Sequence, residues 1–292
     1  MQHRLGFIGL GMMGLPMAKR VSKAGTRFAV YNRTKSKAES LLSHGAQWCD
    51  TPSAVASSSD IVFSMVSNPE ALRDIALGPN GVLAGLKSGG VHVDTSTVSP
   101  AGTRELATQY TGKGRFFLHA PVLGSVPQAT DGTLLMFAGG DASSYLTVEP
   151  YLQLLAKQIW RFEQPDQATH MKLICNLFIA GMITTLGQAL IFAEKANVDR
   201  RMVLDIIGQS QLSSPTYQTK GLAIVQDNFT PRFFLEHMLK DVNLMLDAAR
   251  DVHAPLPAIE IAQELFDEAL HAGYGREDYS AVVKALRARG GK

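Results

Sequence analysis

Three groups of residues in this chain have types and spacings that could do chemistry. The first is Gly9-Leu10-Gly11-Met12-Met13-Gly14, set between a short apolar run, Arg4 to Ile8, and a helical pattern from Leu15 to Ala24. Glycines so placed let backbone N–H groups face an anion. Gly9 would allow the tight turn, Gly11 the close approach of a pyrophosphate and Gly14 the packing of helix on strand, with the helix N-terminus favouring the negative charge. The second group is Asn32-Arg33-Thr34, with Lys35 and Lys37 behind it, at the end of the apolar run Phe28 to Tyr31. A dinucleotide site that prefers NAD carries a carboxylate there for the ribose 2′-hydroxyl. None stands here, and Arg33 offers a planar fork of donors suited to a 2′-phosphate. NADP(H) is therefore the preferred ligand, with NAD(H) the alternative. The third group is Lys172 and Asn176, four residues apart and so on one face of a helix. They lie near the start of Gln167 to Lys195, a stretch almost free of charge between Lys172 and Glu194. A lysine there either snorkels to water or has work in the interior.

These residues need a scaffold, and the pattern before residue 165 supplies one. Short apolar runs alternate with helical segments, which predicts a parallel, doubly wound sheet of the Rossmann type. Ligands of such sheets bind at the carboxyl ends of the strands. Three loops fall there: Ser67-Asn68-Pro69 after a strand Ile61 to Val66, Asp94 to Pro100 with Ser96 and Thr97, and His119 to Ser125 with Val122, Leu123 and Gly124. The hydroxyls of the second compete with helix capping by Thr97 or Ser99. Gly124 suggests a backbone turned toward a ligand, with N–H groups able to hold an anion. His119 alone at a strand end reads as structural. Gln128 to Leu135 reads as a turn into a strand, and Gln209 to Thr219 as a polar loop. The predicted class is α/β: a dinucleotide-binding domain over residues 1–164, then an all-helical domain over 165–292 built on the long helix. That helix has the ~20 residues of a membrane span. Asn176, Gly181, Gly187 and Gln188 interrupt it, and nothing else is membrane-like, so it reads as a core helix. Apolar on every side, it needs cover on every side, which predicts a homodimer or homotetramer.

Bulk properties narrow the field. A formal charge of +2 gives no reason to expect nucleic acid or a membrane surface. Cys49 and Cys175, the only cysteines, are too few and too far apart for a disulfide framework or a zinc cluster. A reducing cytoplasm and no metal are the expectations. The run Leu5 to Ile8 is too short for the core of a signal peptide.

Together these motifs resemble the β-hydroxyacid dehydrogenase family, which includes 3-hydroxyisobutyrate dehydrogenases and glyoxylate/succinic semialdehyde reductases. The likeness runs through Gly6 to Gly14, Asp94-Thr-Ser-Thr97, Ala120-Pro-Val-Leu-Gly-Ser125, Lys172-Leu-Ile-Cys-Asn176, Lys240-Asp241 and Asp278-Tyr-Ser-Ala281. The resemblance implies hydride transfer between NADP(H) and a small aldehyde acid or hydroxy acid. Lys172 would be the general acid/base and Asn176 a second catalytic and substrate-holding group. Ser96 and the loop Val122 to Ser125 would bind substrate, and Lys240 would sit at the nicotinamide end of the cleft. Asn32-Arg33-Thr34 looks like the signature of NADPH-using semialdehyde reductases. Two residues depart from the family pattern: His119 stands where an Asp usually opens the loop, and Leu123 removes a hydroxyl that commonly meets the substrate carboxylate. The N–H groups of Gly124 and Ser125, with the Ser125 hydroxyl, would then serve. Two rival readings are an imine reductase on the same fold, which usually lacks the lysine at this place, and a non-catalytic NADP-binding regulator, which has no use for Lys172, Asn176 and Ser96 together.

Overall fold

The computed structural model describes residues 3–290. The chain divides between Lys172 and Leu173 into two compact units. The first is built on one sheet of nine strands among the described residues: β1 (Leu5–Ile8), β2 (Phe28–Tyr31), β3 (Gln47–Trp48), β4 (Ile61–Ser64), β5 (Val91–Asp94), β6 (Phe116–His119), β7 (Val122–Leu123), β8 (Leu134–Gly139) and β9 (Ala156–Phe162). Their order is β3-β2-β1-β4-β5-β6-β8-β7, with β9 on the free side of β8. β1, β4 and β5 are buried from end to end, as strands covered on both faces must be. Alternate residues feed two cores. Phe7, Phe63, Val93 and Leu118 join one, while Ile8, Val62 and Phe117 join the other.

The sheet is parallel from β3 through β6, as the alternating pattern predicts. Beyond β6 it is mixed, with β9 parallel to β8. β8 runs antiparallel to β6 and to β7, and the β6 link is the single pair His119–Gly139. Between β6 and β8 the chain first forms β7, which pairs antiparallel with β8, so β8 returns against both. The segment read as a turn, Gln128 to Leu135, begins inside a helix, Val126–Asp131, which ends on Gly132 at φ 72°. In the parallel part the last residues lie side by side. Tyr31 and Ser64 flank Ile8, Asp94 pairs with Ser64, and His119 pairs with Asp94. The carboxyl edge therefore presents Ser64, Asp94 and His119 in one row.

The second unit is helical. The long helix spans Pro165–Lys195. Its residues Leu173, Ala180, Ile183, Leu186 and Leu190 share a core with Met238, Val242 and Met245 of the helix Leu235–Asp251 and with Val282 and Val283. By length and composition the long helix could cross a membrane. The face packed in this core shows why a soluble protein would need the same composition. The opposite face is less covered: Phe178 is 62% exposed and Phe192 76%. The polar loop expected over Gln209 to Thr219 is shorter than the sequence suggests. Ser214 caps a helix, Pro215–Val225, by accepting from the Tyr217 N–H at 3.1 Å, with Pro215 at its first turn.

Candidate active site

The glycine loop leaves β1 and turns into the helix Gly14–Val21. Gly9 has φ 92°, and a Cβ there would overlap the Met65 carbonyl. At Gly14 a Cβ would run into the Gly9 carbonyl, so this glycine lets the helix start against the turn. Nothing lies within 4 Å of a Cβ built on Gly11, which leaves that side of the loop open to a ligand. No side chain caps the helix that follows. The first N–H groups of an uncapped helix need an acceptor, and a pyrophosphate supplies one. The Leu10 N–H is already committed, donating to Asn32 Oδ1 at 2.9 Å. Asn32 also donates to the Thr34 carbonyl at 2.8 Å, so it ties the glycine loop to the end of β2. Arg33 and Lys37 are exposed beside it. Lys35 lies over the Trp48 ring, 5.3 Å from its centroid. The residues present thus fit a dinucleotide.

At the next strand ends, Val66 and Ser96 come together, the Val66 N–H donating to Ser96 Oγ at 2.8 Å. Ser96 is fully buried and gives its hydroxyl proton to Asp94 Oδ1 at 2.8 Å. Its hydroxyl therefore has no donor left for a substrate. Asn68 caps the helix Pro69–Leu77 through Ala71 N, and Ser99 caps Pro100–Thr111 through Gly102 N. Thr97 is half-buried between them in sequence. The capping reading of the second loop thus falls to Ser99.

Behind this wall runs a buried polar chain. Ser64 Oγ donates to Asp94 Oδ1 at 2.6 Å and lies 2.9 Å from His92 Nε2, whose Nδ1 is 2.7 Å from the Tyr110 hydroxyl. Ser64 has one proton and gives it to Asp94, so it accepts from His92 Nε2–H, and Nδ1 accepts from Tyr110. That tautomer is the neutral imidazole. Burial holds His92 down to about 4, against the pull of Asp94. Its folded value lies below the unfolded one, so its contribution to stability is complete above pH 6.5 and is lost as pH falls toward 4. The gap is worth about 3 kcal/mol. Urea titrations at pH 7 and pH 4.5 should show most of that loss, and the His92→Gln variant should lose less over the same interval. Equal losses in both proteins would rule His92 out as the cause. His119 Nδ1 stands 3.2 Å from Asp94 Oδ2, though off the line of a good hydrogen bond. It stacks on Phe117 and is fully buried, a structural placement.

The loop Val122 to Ser125 is joined by hydrogen bonds to β8 and to Gln128. Gly124, at φ 144°, has no room for a side chain, since a Cβ would sit 2.7 Å from Leu134. Ser125 corrects an expectation: its N–H does not stand open for an anion but donates to Gln128 Oε1 at 2.9 Å. Gln128 is the third residue of the helix that follows and reaches back in the manner of a capping box. The Ser125 hydroxyl makes no hydrogen bond of good geometry.

On the long helix, Lys172 is 8% exposed and Asn176 3%. Asn176 Nδ2 donates to Asp241 Oδ2 at 2.7 Å. A carboxylate only accepts, so this contact fixes which way the amide lies and leaves Asn176 Oδ1, buried and unpartnered, to receive a donor. Lys240 Nζ stands 2.7 Å from Asp241 Oδ1. Asp241 thus joins Asn176 to Lys240, a role the sequence reading missed. A sign was present: Asp241 lies three residues after Met238 and four before Met245, on the apolar stripe of its helix. A carboxylate there needs partners.

Comparison with known proteins follows the same division. Residues 4–164 match the NAD-binding domain of 6-phosphogluconate dehydrogenase, and residues 167–286 the NAD-binding domain of NADP-dependent 3-hydroxyisobutyrate dehydrogenase. The chain is 34% identical over 284 residues to glyoxylate/succinic semialdehyde reductase 2 of Arabidopsis thaliana, covering 97% of this chain and 79% of that one. It is 35% identical over 286 residues to the uncharacterized oxidoreductase YfjR of Bacillus subtilis, covering 97% and 100%. Among solved structures, Mycobacterium tuberculosis 3-hydroxyisobutyrate dehydrogenase with L-serine superposes at a TM-score of 0.88 and 26% identity, over 98% of this chain and 100% of that one.

Proposed function

We propose, for a chain that belongs to the NAD(P)-dependent β-hydroxyacid dehydrogenase family, that it reduces a small aldehyde acid to the hydroxy acid with NADPH. The observation that carries this reading is a buried lysine, Lys172, one helical turn from a buried amide whose oxygen is unpaired, Asn176. NADPH, when bound, supplies the hydride to the carbonyl carbon. Lys172 stabilises the negative charge that develops on the carbonyl oxygen and passes its proton to that atom, giving the alcohol. The reverse direction uses the neutral amine as base. Asn176, held by Asp241, offers an acceptor, so it suits a hydroxyl or the ammonium itself rather than a carboxylate. The substrate carboxylate falls to the Gly124–Ser125 loop, where Gln128 must first release the Ser125 N–H. NADPH is preferred to NADH because Arg33 stands where an acidic residue would select the ribose hydroxyl.

The test is NADPH oxidation over glyoxylate, succinic semialdehyde, methylmalonate semialdehyde and tartronate semialdehyde. Turnover with one or more is expected. Tight NADPH binding with no turnover on any of them would overturn the assignment to aldehyde acids.

A second copy of the chain is the proposed cover for the long helix. Ile174, Phe178 and Phe192 are apolar and at least half exposed on it, an apolar run that water does not favour. The Phe178→Glu substitution should lower the mass measured by light scattering to that of one chain. A monomeric parent protein would sink this part of the proposal.

A further inference from the structure

We propose that Asp94 is a positioning residue for the cofactor, acting as the latch that sets the Val66 loop and the Ser96 loop relative to each other. The inference rests on the NADPH reading of the first unit and deepens it.

The geometry is specific to a carboxylate. Asp94 is fully buried at the end of β5, with Ser64 of β4 and His119 of β6 in register on either side. Oδ1 accepts from Ser64 Oγ at 2.6 Å and from Ser96 Oγ at 2.8 Å. Oδ2 accepts from the Ser96 N–H at 3.2 Å and faces His119 Nδ1 at 3.2 Å. The Asp94 carbonyl accepts from the Ala120 N–H at 2.6 Å. One residue is thus tied to the ends of both neighbouring strands and to the loop after its own. Donors meet both oxygens, and only an ionised carboxylate accepts at both.

The link to the ligand runs through Ser96. Asp94 takes the Ser96 proton, which turns the lone pairs of Ser96 Oγ toward the Val66 N–H at 2.8 Å. Val66 opens the loop Val66 to Asn68, which faces the cofactor in this reading. Thr95 reinforces the same junction by donating from Oγ1 to the Ser64 carbonyl at 2.7 Å. Without the Asp94 acceptor, Ser96 is free to rotate and the Val66 N–H loses its fixed partner. A buried carboxylate carries a large desolvation cost. Its place between two ligand-facing loops is where fixing geometry matters most.

Asp94→Asn is the near-isosteric probe. Its amide places a donor against either the Ser hydroxyls or the Ser96 N–H, so one side of the latch opens. NADPH affinity, read by the fluorescence of the reduced cofactor and so independent of substrate, should weaken about tenfold. Ser96→Ala should weaken it by a similar factor, and the double variant by no more than either single one, because both break one link. Ser64→Ala removes an Asp94 partner that does not reach Val66. It should lower the melting temperature and leave NADPH affinity unchanged. If Asp94→Asn does not fold, Ser96→Ala and Ser64→Ala carry the test alone. Unaltered NADPH affinity in Ser96→Ala, or an equal loss in Ser64→Ala, would overturn the latch. Absence of NADPH binding by the parent protein would instead overturn the underlying reading.

Discussion

Replacing Lys172 with alanine should lower the rate of aldehyde-acid reduction by about a thousandfold and leave NADPH affinity unchanged. The expectation rests on where the ammonium is. Lys172 is buried at the first third of the long helix, with Asn176 one turn on. A charge in such surroundings acts on a developing oxyanion with little screening by water. Alanine is a strong helix former, so the helix should survive the change. Lys172→Arg separates the two tasks of the side chain. The guanidinium keeps the positive charge but does not give up a proton in this pH range. Activity in Lys172→Arg should therefore stay far below the parent, whereas a purely electrostatic role would let it recover. Single-turnover oxidation of NADPH at saturating aldehyde acid is the measurement. Parent-like rates in Lys172→Ala would remove the lysine from the chemistry.

Much of this arrangement is legible in the residues, for a physical reason. Glycine at positions 9, 11 and 14 follows a spacing legible in the chain, although the wall that Gly9 fits against, the Met65 carbonyl, is distant in sequence. Strands that alternate with helices are legible too, since burial on both faces leaves continuous apolar runs. Part of what could not be read depends on partners distant in sequence. Nothing near Asn176 in the chain says that Asp241, 65 residues on, will fix its amide. The Ser125 N–H is likewise engaged, by Gln128 three residues later in the manner of a capping box, before any ligand meets it. Hydroxyls mislead most. The family resemblance makes Ser96 a substrate contact, yet its proton goes to the buried carboxylate two residues before it. The antiparallel direction of β8 is hidden too, because it depends on the two-residue strand β7 and the short helix Val126–Asp131 lying before it.

Arg33→Ala should weaken NADPH binding by roughly 30-fold and leave NADH binding as it was, so that the preference between the two collapses. Arg33 is exposed at the end of β2, directly after Asn32, which is held by the glycine loop. That anchor matters, because a guanidinium discriminates only when its backbone is fixed relative to the nucleotide. Lys35 is a poor substitute while its ammonium lies over Trp48. A charge-assisted contact with a phosphate is worth about 1.5–3 kcal/mol, which sets the size of the effect. The phosphate also predicts its salt dependence. The advantage of NADPH over NADH in the parent should shrink as ionic strength rises, since both partners are exposed to solvent. Arg33→Asp goes further by placing a like charge against the phosphate, and it supplies an acceptor for the ribose hydroxyl, so it should turn the preference toward NADH. The measurement is the ratio of kcat/KM for the two cofactors at fixed substrate. An unchanged ratio in both variants would remove Arg33 as the residue that reads the 2′-phosphate.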